Sequence, residues 1–122
     1  MKYIIMMFGD QATMMEVRTP EWIREMIGFM TNIDQELQDS GELVDSQGLA
    51  DPSQAKTIRF QGGVPVPTDG PFAEAKESLA GYWIVEGSEE RAIEIASRVV
   101  AFIEGPIEVR QVMDAPPEEF TS

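Results

Sequence analysis

Three carboxylates and a lysine fall within the nine residues Asp69-Gly-Pro-Phe-Ala-Glu-Ala-Lys-Glu77, with Phe72 among them. The strongly apolar run Leu79-Ala-Gly-Tyr-Trp-Ile-Val-Glu86 follows at once. A carboxylate held against an aromatic wall loses stabilisation of its ionised form and becomes a better proton acceptor. A lysine brought close to it can hold an anionic substrate group or a developing oxyanion. The chemistry this pattern points to is metal-free acid–base catalysis on a small molecule, with Asp69 as base and Lys76 as its electrostatic partner. Phe72, Glu74 and Tyr82 complete the expected pocket, and Trp22 adds aromatic surface from a preceding helix.

A purely structural reading explains the same turn. Gly70 tolerates positive φ and Pro71 fixes its own φ, so the chain reverses sharply there. Asp opens such turns because its side chain accepts local backbone N–H groups. On this reading Asp69 caps a short helical segment starting near Phe72, and Lys76 pairs with Glu77 or Glu86. The other candidate oxygen ligands, Asp45, Asp51 and again Asp69 and Glu74, sit in no loop with metal-ligand spacing. They read as solvated charges, and neither a metal nor a cofactor is expected. Among the methionines, Met6, Met7, Met26 and Met30 read as adaptable core filler. Met14 and Met15 lie in an expected loop, where they would pack at a subunit joint or over a ligand.

Composition narrows the function classes. The chain has 122 residues, no cysteine and no histidine. Thiolate chemistry, disulfides, the usual zinc sites and histidine-based triads are therefore excluded. Nine basic residues against 22 acidic ones give a net charge of −13, which argues against nucleic acid and against anionic membrane surfaces as partners. The apolar start Met1-Lys-Tyr-Ile-Ile-Met-Met-Phe8 meets Gly9 and Asp10 too early for a signal sequence. No apolar run approaches the ~20 residues of a membrane span, so a cytoplasmic protein is expected.

The positioning elements follow from periodicity. Tyr3 to Phe8 and Leu79 to Glu86 are apolar without alternation, the pattern of strands covered on both faces. Gly9 to Arg18 reads as a loop. Thr19-Pro20 opens a helix to about Ser40, capped by Gly41, with Ile23, Met26, Ile27, Met30, Ile33 and Leu37 at helical spacing. Glu42 to Gln47 reads as a short strand. Lys56 to Gln61 and Val64 to Thr68 form a hairpin about Gly62-Gly63. Ser88 opens a second helix ended by Gly105-Pro106, and Ile107 to Val112 is the last strand. Residues 1–113 make one domain, and 114–122 an acidic, proline-containing tail expected to be mobile.

This order is a split βαβ, or ferredoxin-like, α+β arrangement with a hairpin insertion. Tyr82 and Trp83 should face opposite sides of the sheet. Both helices lie on one face, so the other face would expose two apolar central strands. A homodimer joined through its sheet faces, with the hairpin sealing the joint, resolves that exposure.

Asp69 to Glu77 with Leu79 to Glu86 resembles the signature of the DGPF proteins, a branch of the YCII-related family, and the likeness extends from the first strand through Val112. The resemblance implies ferredoxin-like subunits paired into a dimeric α+β barrel. This chain departs from the usual pattern at Ala75, where threonine is typical, and at Ala80, where a second glycine is typical. The His–Asp pair proposed for the broader family cannot operate in a chain without histidine. Barrels of this type include cofactor-free monooxygenases and isomerases, an analogy of fold alone. Family genes also accompany extracytoplasmic-function sigma factors, which implies the alternative of a non-catalytic accessory protein with a regulatory protein partner.

Overall fold

The computed structural model describes residues 1–121. In chain order the elements are β1 (Lys2–Phe8), α1 (Gln11–Val17), α2 (Pro20–Ser40), β2 (Leu43–Gly48), β3 (Lys56–Gln61), β4 (Val64–Asp69), β5 (Leu79–Glu86), α3 (Glu89–Ile103) and β6 (Ile107–Val112). The order β2-β5-β1-β6 makes one antiparallel sheet, and β3 pairs only with β4. The two continuously apolar segments, β1 and β5, are the central strands, as their lack of polar alternation requires.

One face of the sheet supplies Tyr3 and Ile5 from β1 and Trp83 and Val85 from β5 to the core. Against them pack Ile33 and Leu37 of α2, and Ala92, Ile95, Ala96 and Val99 of α3. The opposite face carries the cross-strand pairs Ile4–Ile84 and Met6–Tyr82. Neighbouring positions on the edge strands are polar: Asp45 and Gln47 on β2, Glu108 and Arg110 on β6. Gly81 of β5 leaves no room for a side chain, since a Cβ there would sit 2.9 Å from the Gln47 carbonyl.

Local signals set the element ends. The Thr19 hydroxyl accepts from the Trp22 amide at 3.1 Å and Pro20 opens α2, while Gly41, at φ 78°, closes it. The Ser88 hydroxyl caps α3 through the Arg91 amide. Gly62 and Gly63, at φ 58° and 80°, supply the positive φ that a two-residue hairpin turn needs at both positions. The expected loop at 9–18 is instead largely helix α1. Its apolar residues form no continuous stripe and none of its residues is buried, so helical periodicity gave no signal. The Asp10 carboxylate holds its start by accepting from the Thr13 amide and hydroxyl. Beyond Asp114 the described chain forms a single 3-10 turn, Glu118–Phe120.

Two polar clusters tie the layers together. Asp34 of α2 accepts from the buried Trp83 indole N–H and from the Ser46 hydroxyl, joining helix to sheet. Arg91 of α3 reaches Glu42, Glu36 and Glu94, and Arg98 also grips Glu36. The hydrogen bonds from Arg98 and then Arg91 draw the Glu36 carboxyl below its usual 4.5, to about 2.

Asp34→Ala should lower unfolding stability by about 1–3 kcal/mol in denaturant titration, because it strands a buried indole donor; an unchanged midpoint would contradict this. Glu36 has a depressed folded-state pKa, so its contribution is complete above pH 4.5 and lost as pH falls toward 2. The gap in thermal midpoint between wild type and Glu36→Gln should therefore be widest near neutrality and close across that window. The side chain is 40% exposed, so solvent screening should keep the gap small.

Candidate functional site

The residues from Pro71 to Ala80 contribute walls to two concavities, and Phe8 lines both. Ser78 pins this segment down. Its hydroxyl donates to the Glu74 carbonyl at 3.1 Å, and its own carbonyl accepts from the Gly9 amide at 2.9 Å. The larger hollow, about 700 Å³, lies between the first arm of the hairpin and Pro71–Ala73. Its rim is open: Phe72 is 83% exposed and Ile58 61%.

The smaller cavity, about 420 Å³, lies at the end of β1 among α1, the first half of α2 and the end of α3. Met7, Met14, Met26 and Met30 line it together with Trp22 and Ile103. Its polar lining includes Asp10, Arg18 and Lys76. The Arg18 guanidinium stands 4.3 Å over the Trp22 ring and donates to the Ile103 carbonyl at 3.3 Å. Trp22 also packs against Phe102, with ring centroids 5.5 Å apart. The Asp10 carboxylate is occupied by the α1 cap.

Helix α1 is held over this cavity from outside itself. One Asp51 oxygen accepts from the Gln11 amide at 2.9 Å and from the Ala12 amide at 3.3 Å, while the other accepts from Ser53. These bonds, those to Ser53 foremost, keep the Asp51 carboxyl below the usual carboxylate range. Asp45 is equally committed. It accepts from the Tyr82 hydroxyl at 2.9 Å and the Gln47 amide at 3.0 Å, which lowers the Asp45 pKa and raises that of Tyr82. The expectation that Asp45 and Asp51 are simply solvated is thus corrected: each carboxylate meets donors brought to it by the fold.

The expected site residues are distributed among four places. Lys76 and Trp22 line the methionine cavity, and Phe72 lines the larger hollow. Tyr82 lies on the open sheet face with Asp45. Asp69 ends β4, where its 89% exposed carboxylate pairs with Lys56 across the hairpin. Glu74 pairs with Lys76 at 3.9 Å, in place of the Glu77 or Glu86 partner considered for that lysine. The short helical segment begins at Ala75, with Glu74 in the cap position, so Asp69 does not cap it.

Arg18 and Asp51 were not among the expected site residues, and of the methionine wall only Met14 was considered for a place over a ligand. The spacing of Met26 and Met30 signals a helix face, but their convergence with Met7 and Met14 depends on tertiary structure. Asp51→Ala should free the start of α1 and speed amide exchange at Gln11 and Ala12 without changing exchange in β1 and β5. Unchanged exchange at those two amides would show that Asp51 does not hold the helix.

The YCII-related domain family matches residues 1–116. An uncharacterized protein of Rhizobium meliloti (strain 1021) is 26% identical over 101 residues, covering 79% of this chain and 77% of its own length. Among the described residues no helix is long and apolar enough to cross a membrane. With a match over nearly its whole length and the split βαβ sheet to accompany it, the chain belongs to the YCII-related domain family.

Proposed function

We propose that this protein binds a small organic molecule in the methionine-lined cavity beneath α1, and that it does so as a homodimer. The observation that carries the reading is the cavity itself. Its volume of about 420 Å³ lies within the ~300–1,000 Å³ usual for ligand sites, and its walls combine apolar surface with a few polar groups. Methionine walls suit the role because their unbranched side chains repack around different shapes. Lys76, expected as the electrostatic partner of any reaction, is in the wall. Asp69, expected as the base, is engaged with Lys56 on the hairpin. The arrangement therefore favours binding over acid–base turnover by that pair.

The dimer reading rests on the open sheet face. Ile4, Met6, Tyr82 and Ile84 form an apolar centre bordered by polar residues of β2 and β6. A second copy laid against that centre would remove it from water, at roughly 25 cal/mol per Å² of apolar surface buried. A non-catalytic accessory role with a regulatory protein partner is the second reading. It is favoured by two exposed aromatic side chains, Phe60 on β3 at 77% and Phe72 in the wall of the larger hollow at 83%.

Native mass spectrometry of freshly purified protein should show a dimer carrying a stoichiometric small-molecule mass. Met30→Trp, which fills the cavity, should remove that mass; a mass that persists in the variant would place the ligand elsewhere. Ile84→Lys should give a folded monomer in analytical ultracentrifugation, and a surviving dimer would place the interface on another surface.

A further inference from the structure

We infer that the ligand of the methionine-lined cavity is an amphipathic carboxylate: an apolar body with a single anionic head. The inference rests on the cavity being a ligand site and adds the chemical class it selects. Three arginines of this chain are half-buried: Arg18, Arg91 and Arg98. Arg91 and Arg98 are both engaged by glutamates, at 2.8–3.1 Å. Arg18 has no carboxylate within ion-pair distance among the described residues, although the chain carries 22 acidic side chains.

A partly desolvated guanidinium without a counter-ion is costly unless another group compensates it. The Trp22 face and the Ile103 carbonyl compensate in part. Neither uses the whole fork of five donors, which matches a carboxylate in two-point contact. Lys76 lines the same cavity and supplies a second cation. Its pairing with Glu74 is loose, at 3.9 Å and largely exposed on both sides, so a ligand can compete for it. Asp10, the acidic group in the wall, already accepts from Thr13. The methionines and Trp22 then define the remainder of the ligand as apolar.

The net charge of −13 opposes any anion at long range. That repulsion is screened over about 8–10 Å in physiological salt, whereas a guanidinium–carboxylate contact acts at about 3 Å in a site of lower dielectric. The local contact prevails. Octanoate and 1-octanol, which share a chain length and differ in the charged head, serve as probes in isothermal titration calorimetry. Octanoate should bind at least tenfold more tightly than octanol. Arg18→Gln should remove that preference while leaving octanol affinity within twofold, which also reports that the cavity is still formed. Lys76→Gln, at a largely exposed position, should reduce the preference by a smaller factor. Equal affinity for the two probes in the wild type would overturn the anionic class and leave the cavity reading standing. An octanoate preference that survives Arg18→Gln would overturn the role of Arg18. Binding of neither probe would overturn both the class and the site.

Discussion

The structure depends on one constraint: its two central strands are apolar on both faces. β1 and β5 cannot leave either face in water without exposing a broad hydrophobic surface. One face is covered by α2 and α3, whose buried residues meet Tyr3, Ile5, Trp83 and Val85. At the end of β1 the helical cover thins, and there α1 and the Lys76 segment close over a cavity that the core does not fill. The other face is where the proposed second copy would lie. Core, cavity and proposed interface thus answer to the same sequence property.

Polar groups decide how firmly these layers are joined. Asp34 gives the buried Trp83 indole a partner, so the largest fully buried side chain enters the core with its donor satisfied. The Arg91–Arg98–Glu36–Glu42 network sits at the margin of the helix layer, where solvent reduces its worth and geometry makes it directional. α1 has no buried residue of its own. Its attachment through Asp51 and the neighbouring Arg18 makes it the element over the cavity with least support from the core, the kind of segment that opens at low free-energy cost.

The fold was largely legible because its signals are local. The caps at Thr19, Gly41 and Ser88, the paired glycines of the hairpin and the unbroken apolar runs each act within a few residues, and β5 and α2 appear where those signals put them. Tyr82 and Trp83 face opposite sides, as strand alternation demands. α1 was missed because seven residues without a buried stripe carry no periodicity, and the groups that hold its first turn include Asp51, forty residues away in sequence from Gln11. The site was less legible for the same reason. Charge density marked Asp69 to Glu77, yet pairing across the hairpin takes Asp69 to Lys56. The cation that matters most to the proposed ligand, Arg18, lay in the segment read as a loop.

The eight methionines provide the most direct test, since Met7, Met14, Met26 and Met30 line the cavity and Met1, Met6, Met15 and Met113 do not. With methionine methyl groups labelled with carbon-13, an NMR titration with octanoate reads every one of them at once. Saturable shifts concentrated at Met7, Met14, Met26 and Met30 are the result this account predicts. Shifts centred on Met6, on the open sheet face, or no saturable shift at all, would contradict it.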